Sequence, residues 1–242
     1  FDDTLPTNYL ADEVIDDNKV NELLAKKYNE TIVIAEDDSE ILAYLKDELS
    51  TNFRVIAVNN GYDAVKAVMD DEVSLILSDV LMPALNGFQL CSNIKSNIAT
   101  CHIPIVLLTA LSDDNQRIYG IAEGADEYIH KPFNMQYVRL KIIRNIEERK
   151  RLASTFAQKF GRLTRHEAAN LPCVDDVFRD KLFNLIEAQH SDSNFKIELM
   201  SDMLGMSRIL LYRKITSIFG MSPSDLLRNY RLQKAVQLLT DQ

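Results

Sequence analysis

From residue 31 onward the apolar and polar positions of the chain switch between two periods. Residues 31–35 (TIVIA) form a short β-branched run, and residues 39–49 repeat apolar side chains at helical spacing through Ile41, Leu42, Leu45 and Leu49. Residues 53–58 read as a second strand, and Asn60-Gly61 supplies a turn before a helix over 62–69. The next apolar run ends at Asp79, inside the stretch SLILSDVLMPALNG (residues 74–87), and helical spacing resumes over 88–95. Residues 103–109 (IPIVLLT) predict a fourth strand, 113–122 a helix and 127–129 a short fifth strand; a long helix starts at Met135. This alternation predicts an α/β unit, a five-stranded doubly wound parallel sheet over about residues 31–146.

The flanking segments have different patterns. Residues 1–30 mix acids with a weak helical repeat (Val20, Leu23, Leu24) and read as an acidic connecting segment. Residues 147–175 read as a basic helical linker, solvated and joining two domains, although the same charges also suit tracking of a phosphate backbone. Beyond Pro172 everything is helical: 177–189, 196–204, a turn at Gly205-Met206-Ser207, then 208–219 and 224–239. Two helices about a short Gly-containing turn capped by Ser make a helix-turn-helix, so residues 176–242 are expected to form a second, all-α domain; three packed helices without a DNA role are the alternative.

Charge sharpens this division. The formal net charge of -9 argues against nucleic-acid binding over the whole surface. Residues 1–48 carry fourteen acids against four Lys, whereas residues 205–234 carry six Lys and Arg against one acid, so an anionic partner would meet the C-terminal end. Cys91, Cys101 and Cys173 form no CxxC pair, which points to a reducing, cytoplasmic setting rather than to disulfides or structural zinc. No apolar run approaches the ~18–20 residues of a membrane span. The chain begins at Phe1 rather than Met and reads as a piece of something longer.

In a sheet of this kind ligand chemistry gathers at the carboxyl ends of the strands. The first predicted strand runs into Glu36-Asp37-Asp38, the third ends at Asp79, the fourth at Thr109, and the fifth leads to Lys131-Pro132. Clustered acids call for a cation, and oxygen ligands of this type suit Mg2+ beside a phosphoryl group. Asp79 would be the phosphoacceptor, with Lys131 and the Thr109 hydroxyl contacting the phosphoryl oxygens. Singly, each residue has a plainer reading as a helix cap, a strand end or a surface lysine. The spacings 79 - 37 = 42, 109 - 79 = 30 and 131 - 109 = 22 place one group at each of four strand ends.

These motifs, SDVLMP, LLTA and KPF, resemble the response-regulator receiver domain over residues 31 to about 146. The resemblance implies Mg2+ ligands at Glu36, Asp37, Asp79 and the backbone carbonyl of Leu81. It also implies a phosphoacceptor at Asp79 and a switch through Thr109, Lys131 and Tyr128, in which phosphorylation draws Thr109 inward and lets Tyr128 pack inside. Asn86 stands where an Asp often occurs. FKIELMSDMLGMSRILLYRKITSIFGMSPSDLLRNYRLQKAVQLL is similar to the first half of the AraC-type DNA-binding domain, and the second helix-turn-helix of that family is absent. By that match Arg208, Ile209, Tyr212 and Arg213 face bases, and Lys214 contacts phosphate. The whole then resembles the C-terminal part of a hybrid two-component protein: a transcription regulator phosphorylated by a histidine kinase in cis or in trans, binding double-stranded DNA and dimerising on activation, with no membrane contact. An aspartyl-phosphate phosphatase is the enzyme alternative, disfavoured because Leu81 replaces the acid such an enzyme needs two residues after Asp79. An unphosphorylated receiver used as an interaction module is a third.

Overall fold

The computed structural model describes residues 17–110, 124–160 and 175–240. Strands β1 (Thr31–Ala35), β2 (Arg54–Val58), β3 (Leu75–Asp79), β4 (Ile105–Thr109) and β5 (Glu127–His130) pair in parallel in the order β2-β1-β3-β4-β5. Helices α1 (Asp17–Ala25), α2 (Ser39–Ser50), α3 (Gly61–Asp70) and α4 (Gly87–Ser96) accompany the sheet, and α5 (Met135–Phe160) leaves it. The expected helix over 113–122 lies outside the described residues.

The central strands β1, β3 and β4 are buried along their whole length, as strands covered by helices on both faces must be. Their period of two divides the core. Ile32, Ile34, Leu75, Leu77, Val106 and Leu108 pack with Leu45 and Leu49 of α2 and Val138, Ile142 and Ile146 of α5. Val33, Ala35, Ile76, Ile105 and Leu107 pack on the other side with Ala64 and Val68 of α3 and Leu90 and Ile94 of α4. Chain order reverses between β1 and β3, which opens the crevice at their carboxyl ends.

A second core lies beyond the sheet, in α6 (Asp176–Gln189), α7 (Ile197–Met203), α8 (Arg208–Phe219) and α9 (Pro223–Thr240). Its centre is aromatic: Phe156 lies 5.3 Å from Phe160 and 4.7 Å from Phe219, and Phe160 lies 5.5 Å from Phe183. Phe156 and Phe160 belong to α5, so the helix expected to be a solvated basic extension carries a buried stripe into this core. Gly220 ends α8 in the left-handed region (φ 66°), where a Cβ would also come within 2.9 Å of the Ala153 carbonyl oxygen. The end of α8 thus abuts α5. No described helix is long and apolar enough to cross a membrane.

Candidate functional site

The crevice between β1 and β3 gathers the acids. Glu36 follows β1 and Asp79 ends β3; both are buried, whereas Asp37 is exposed. One carboxylate oxygen from each of Glu36, Asp37 and Asp79 falls within a group whose members lie at most 4.8 Å apart. Asp38, the third acid of the run, has a different task. Its Oδ1 accepts hydrogen bonds from the amides of Glu40 (2.8 Å) and Ile41 (3.0 Å), capping α2, so the run divides into two acids for the crevice and one for the helix.

Lys131 arrives from the end of β5, where its amide donates to the Thr109 carbonyl at 2.7 Å. Its Nζ lies 2.9 Å from Glu36 Oε2 and 2.9 Å from Asp79 Oδ2. Burial pushes the Glu36 carboxyl up from its ordinary range, the Asp79 charge adds to this, and the hydrogen bond from Lys131 opposes it. Burial works against the charged form of Lys131, but its hydrogen bonds to Glu36 and Asp79 outweigh that and hold its pKa above the ordinary value. One ammonium among three carboxylates leaves the crevice short of positive charge. The donor set therefore fits a hard divalent cation, with Glu36, Asp37 and Asp79 as side-chain ligands. Leu81, whose carbonyl was expected to complete the set, lies two residues beyond Asp79 with an exposed side chain.

Thr109 is buried at the end of β4, beside β3, whose Asp79 pairs in register with Leu108. Tyr128 is half-buried on β5, packed against the core under α3 and α4, and pairs in register with Leu107. The backbone after Asp79 turns back on itself. Gly87 N donates to the Val80 carbonyl, and a Cβ at Gly87 would stand 2.3 Å from the Asp79 carbonyl oxygen, so only glycine lets this loop close on the strand. Asn86 has a role of its own: with Gln89 it forms a capping box at the start of α4. His130 is exposed at the sheet edge and belongs to no acid cluster among the described residues.

The five residues expected to meet DNA separate into three groups. Arg208, Ile209 and Tyr212 share the exposed side of α8, with Arg208 2.8 Å from Glu198. Arg213 instead reaches the receiver-like unit, donating to the carbonyls of Asp70 (2.8 Å), Asp71 (2.9 Å) and Met69 (3.3 Å) at the end of α3. Lys214 departs most from expectation. It is 0% exposed, with Nζ 2.6 Å from Asp175 Oδ2, 3.2 Å from Cys101 Sγ and 4.6 Å from the Phe178 ring centroid, so it is a structural cation in this arrangement and not a phosphate ligand. Neither Asp175 nor Cys101 lies near Lys214 along the chain, so their meeting left no local signal in the sequence.

Residues 32–143 match the response regulator receiver domain family, and this part of the chain is a receiver domain. Over 226 residues, 93% of its length, the chain is 35% identical to histidine kinase P4 of Formosa agariphila, of which it spans only 16%. Over 113 residues, 46% of its length, it is 38% identical to the transcriptional regulatory protein GltR of Pseudomonas aeruginosa, covering 47% of that protein. Among solved structures, the receiver domain of a signal transduction histidine kinase from Syntrophus aciditrophicus is 34% identical, with a TM-score of 0.48 over 50% of this chain and 93% of that one.

Proposed function

We propose that this chain is the phosphoacceptor and output portion of a two-component system, acting in the cytoplasm, in which Asp79 takes a phosphoryl group from a histidine kinase and thereby controls a DNA-binding helical unit. The observation that carries the reading is the position of Lys131 Nζ, 2.9 Å from both Glu36 and Asp79 at the crevice where strand order reverses. An Asp79 carboxylate oxygen attacks phosphorus, the phosphorus–nitrogen bond to the donor imidazole breaks, and its electron pair returns to that ring nitrogen. Lys131 offsets charge on the phosphoryl oxygens, and the Thr109 hydroxyl donates to one of them. Mg2+ held by Glu36, Asp37, Asp79 and the Leu81 carbonyl would supply further charge neutralisation when bound. Rearrangement of Thr109 and Tyr128 is the proposed readout, and homodimerisation the proposed consequence.

The similarity to histidine kinase P4 across both units supports a donor histidine in the same polypeptide, and the similarity to GltR supports an output on transcription. The exposed Arg208, Ile209 and Tyr212 are the proposed base-facing side chains, by resemblance of this segment to the first half of an AraC-type domain. Intact mass after incubation with Mg2+ and acetyl phosphate tests the acceptor: a labile gain of about 80 Da in the parent and none in Asp79→Ala is expected. No gain in the folded parent would overturn it.

A further inference from the structure

The face of the receiver domain opposite Asp79 holds the helix expected to read DNA. Three carbonyls at the C-terminal end of α3 carry the negative end of its dipole, and the Arg213 guanidinium donates to all three. Beside them, Cys101 in the loop between α4 and β4 lies 2.9 Å from Asp175 and 3.2 Å from Lys214, and Ile98 of the same loop packs against the C-terminal core. Two adjacent residues of α8, both proposed from sequence as DNA contacts, are therefore engaged by the receiver domain or buried against it.

The junction is built unlike the two cores that it joins. A cavity of about 340 Å³ lies within it, lined by Val73, His102, Arg149, Arg213 and Thr216 among others. Among the described residues, His102 Nδ1 and Thr216 Oγ1 are buried there without a hydrogen-bond partner. Polar, incompletely satisfied contact around a cavity belongs to an interface that separates rather than to a permanent one.

We infer that seating of α8 on the end of α3 and engagement of a DNA duplex by α8 are mutually exclusive, with Arg213 as the residue that the two partners contest. The inference rests on the DNA-binding reading above. A duplex presents phosphates and base edges to the same guanidinium that now donates to Met69, Asp70 and Asp71, and one fork cannot satisfy both. Release of the seat then raises DNA affinity by the population of open chain that it creates.

The test perturbs the receiver side and leaves α8 intact. Ile98→Asp places a charge in the apolar contact with the C-terminal core. Opening is read by the labelling rate of Cys101 with a maleimide, and DNA binding by fluorescence anisotropy of a labelled random-sequence duplex at low salt. We expect labelling and duplex affinity each to rise about tenfold in Ile98→Asp, and the added affinity to vanish on further substitution of Arg213→Ala. Faster labelling with unchanged, measurable duplex affinity would overturn the inference while leaving DNA binding intact. Unchanged labelling would show that the seat is not closed in solution and would overturn it directly. Faster labelling with no duplex binding in any form would overturn the DNA reading and the inference together.

Discussion

Replacing Lys214 by Met tests whether the buried cation holds the C-terminal unit together. Met keeps the apolar stem and most of the volume but removes the ammonium, leaving the Asp175 carboxylate with the Phe178 amide at 2.8 Å and the Cys101 thiol. Breaking one side of a buried ion pair costs about 3–5 kcal/mol, because the remaining charge stays desolvated. The Asp175 side chain retains 9% exposure and relaxes toward water, so about 3 kcal/mol is the expected loss. For a unit of this size that lowers the midpoint of thermal unfolding by roughly 12 °C or more. Asp175→Asn keeps an N-cap and removes the charge, so the double variant should recover more than half of the loss. Burial alone would raise the Asp175 carboxyl, but hydrogen bonds from Cys101, Lys214 and the Phe178 amide outweigh it and hold its pKa below the ordinary value. A carboxylate depressed in the folded state stabilises above its unfolded pKa and loses that contribution as pH falls through the folded one. The gap between parent and Lys214→Met should accordingly be full at pH 7 and shrink below about pH 4. Urea and thermal unfolding followed by circular dichroism at 222 nm measure both. A loss under about 1 kcal/mol at pH 7, or a double variant no better than the single, would refute the reasoning.

Three further outcomes concern the crevice. Lys131→Ala should slow acetyl-phosphate labelling of Asp79 by roughly tenfold to a hundredfold, with partial recovery in Lys131→Arg, since a cation positioned for the phosphoryl oxygens is lost; phosphorylation rates read this directly. Asp37→Asn should weaken Mg2+ binding roughly tenfold, measured by titration calorimetry, while leaving the urea midpoint of the ion-free protein unchanged or slightly raised, because this carboxylate is exposed. Gly87→Ala should cost about 1–3 kcal/mol and depress phosphorylation, because the added Cβ meets the Asp79 carbonyl oxygen at 2.3 Å and the strand end must move.

The crevice was readable in the sequence because its chemistry lies at strand ends, and strand ends are marked by the change from an apolar run to a polar residue. Asp79 and Thr109 stand at such changes, and Glu36 follows one. What adjacency could not separate was Asp37 from Asp38, both exposed acids after β1, of which one joins the acid cluster and the other caps α2. Arg213 and Lys214 posed the same problem on a helix. Neighbouring residues lie about 100° apart around the axis, so two adjacent cations face different surroundings. The signal was present: Leu211, Lys214, Ile215 and Ile218 follow helical spacing and all are buried, which puts Lys214 on the apolar stripe. Its partners were not readable, since Asp175 is 39 residues away and Cys101 is 113. In the basic run of α5, counting charges hid Phe156 and Phe160, spaced to share one face.

Helix α5 constrains how the two units can move. Its first half, through Val138, Ile142 and Ile146, is embedded in the sheet's core, and its last half, through Phe156 and Phe160, is embedded in the aromatic core. Between them Arg149 ties the helix to Asp126 and to the His102 carbonyl. The contact of Gly220 with Ala153 holds the end of α8 against this helix. Separating the C-terminal unit wholesale would therefore require breaking an apolar core, whereas releasing α8 from the end of α3 requires only the loss of polar contacts and of the Ile98 packing. Release at that end leaves both cores whole and exposes the surface that carries Arg213.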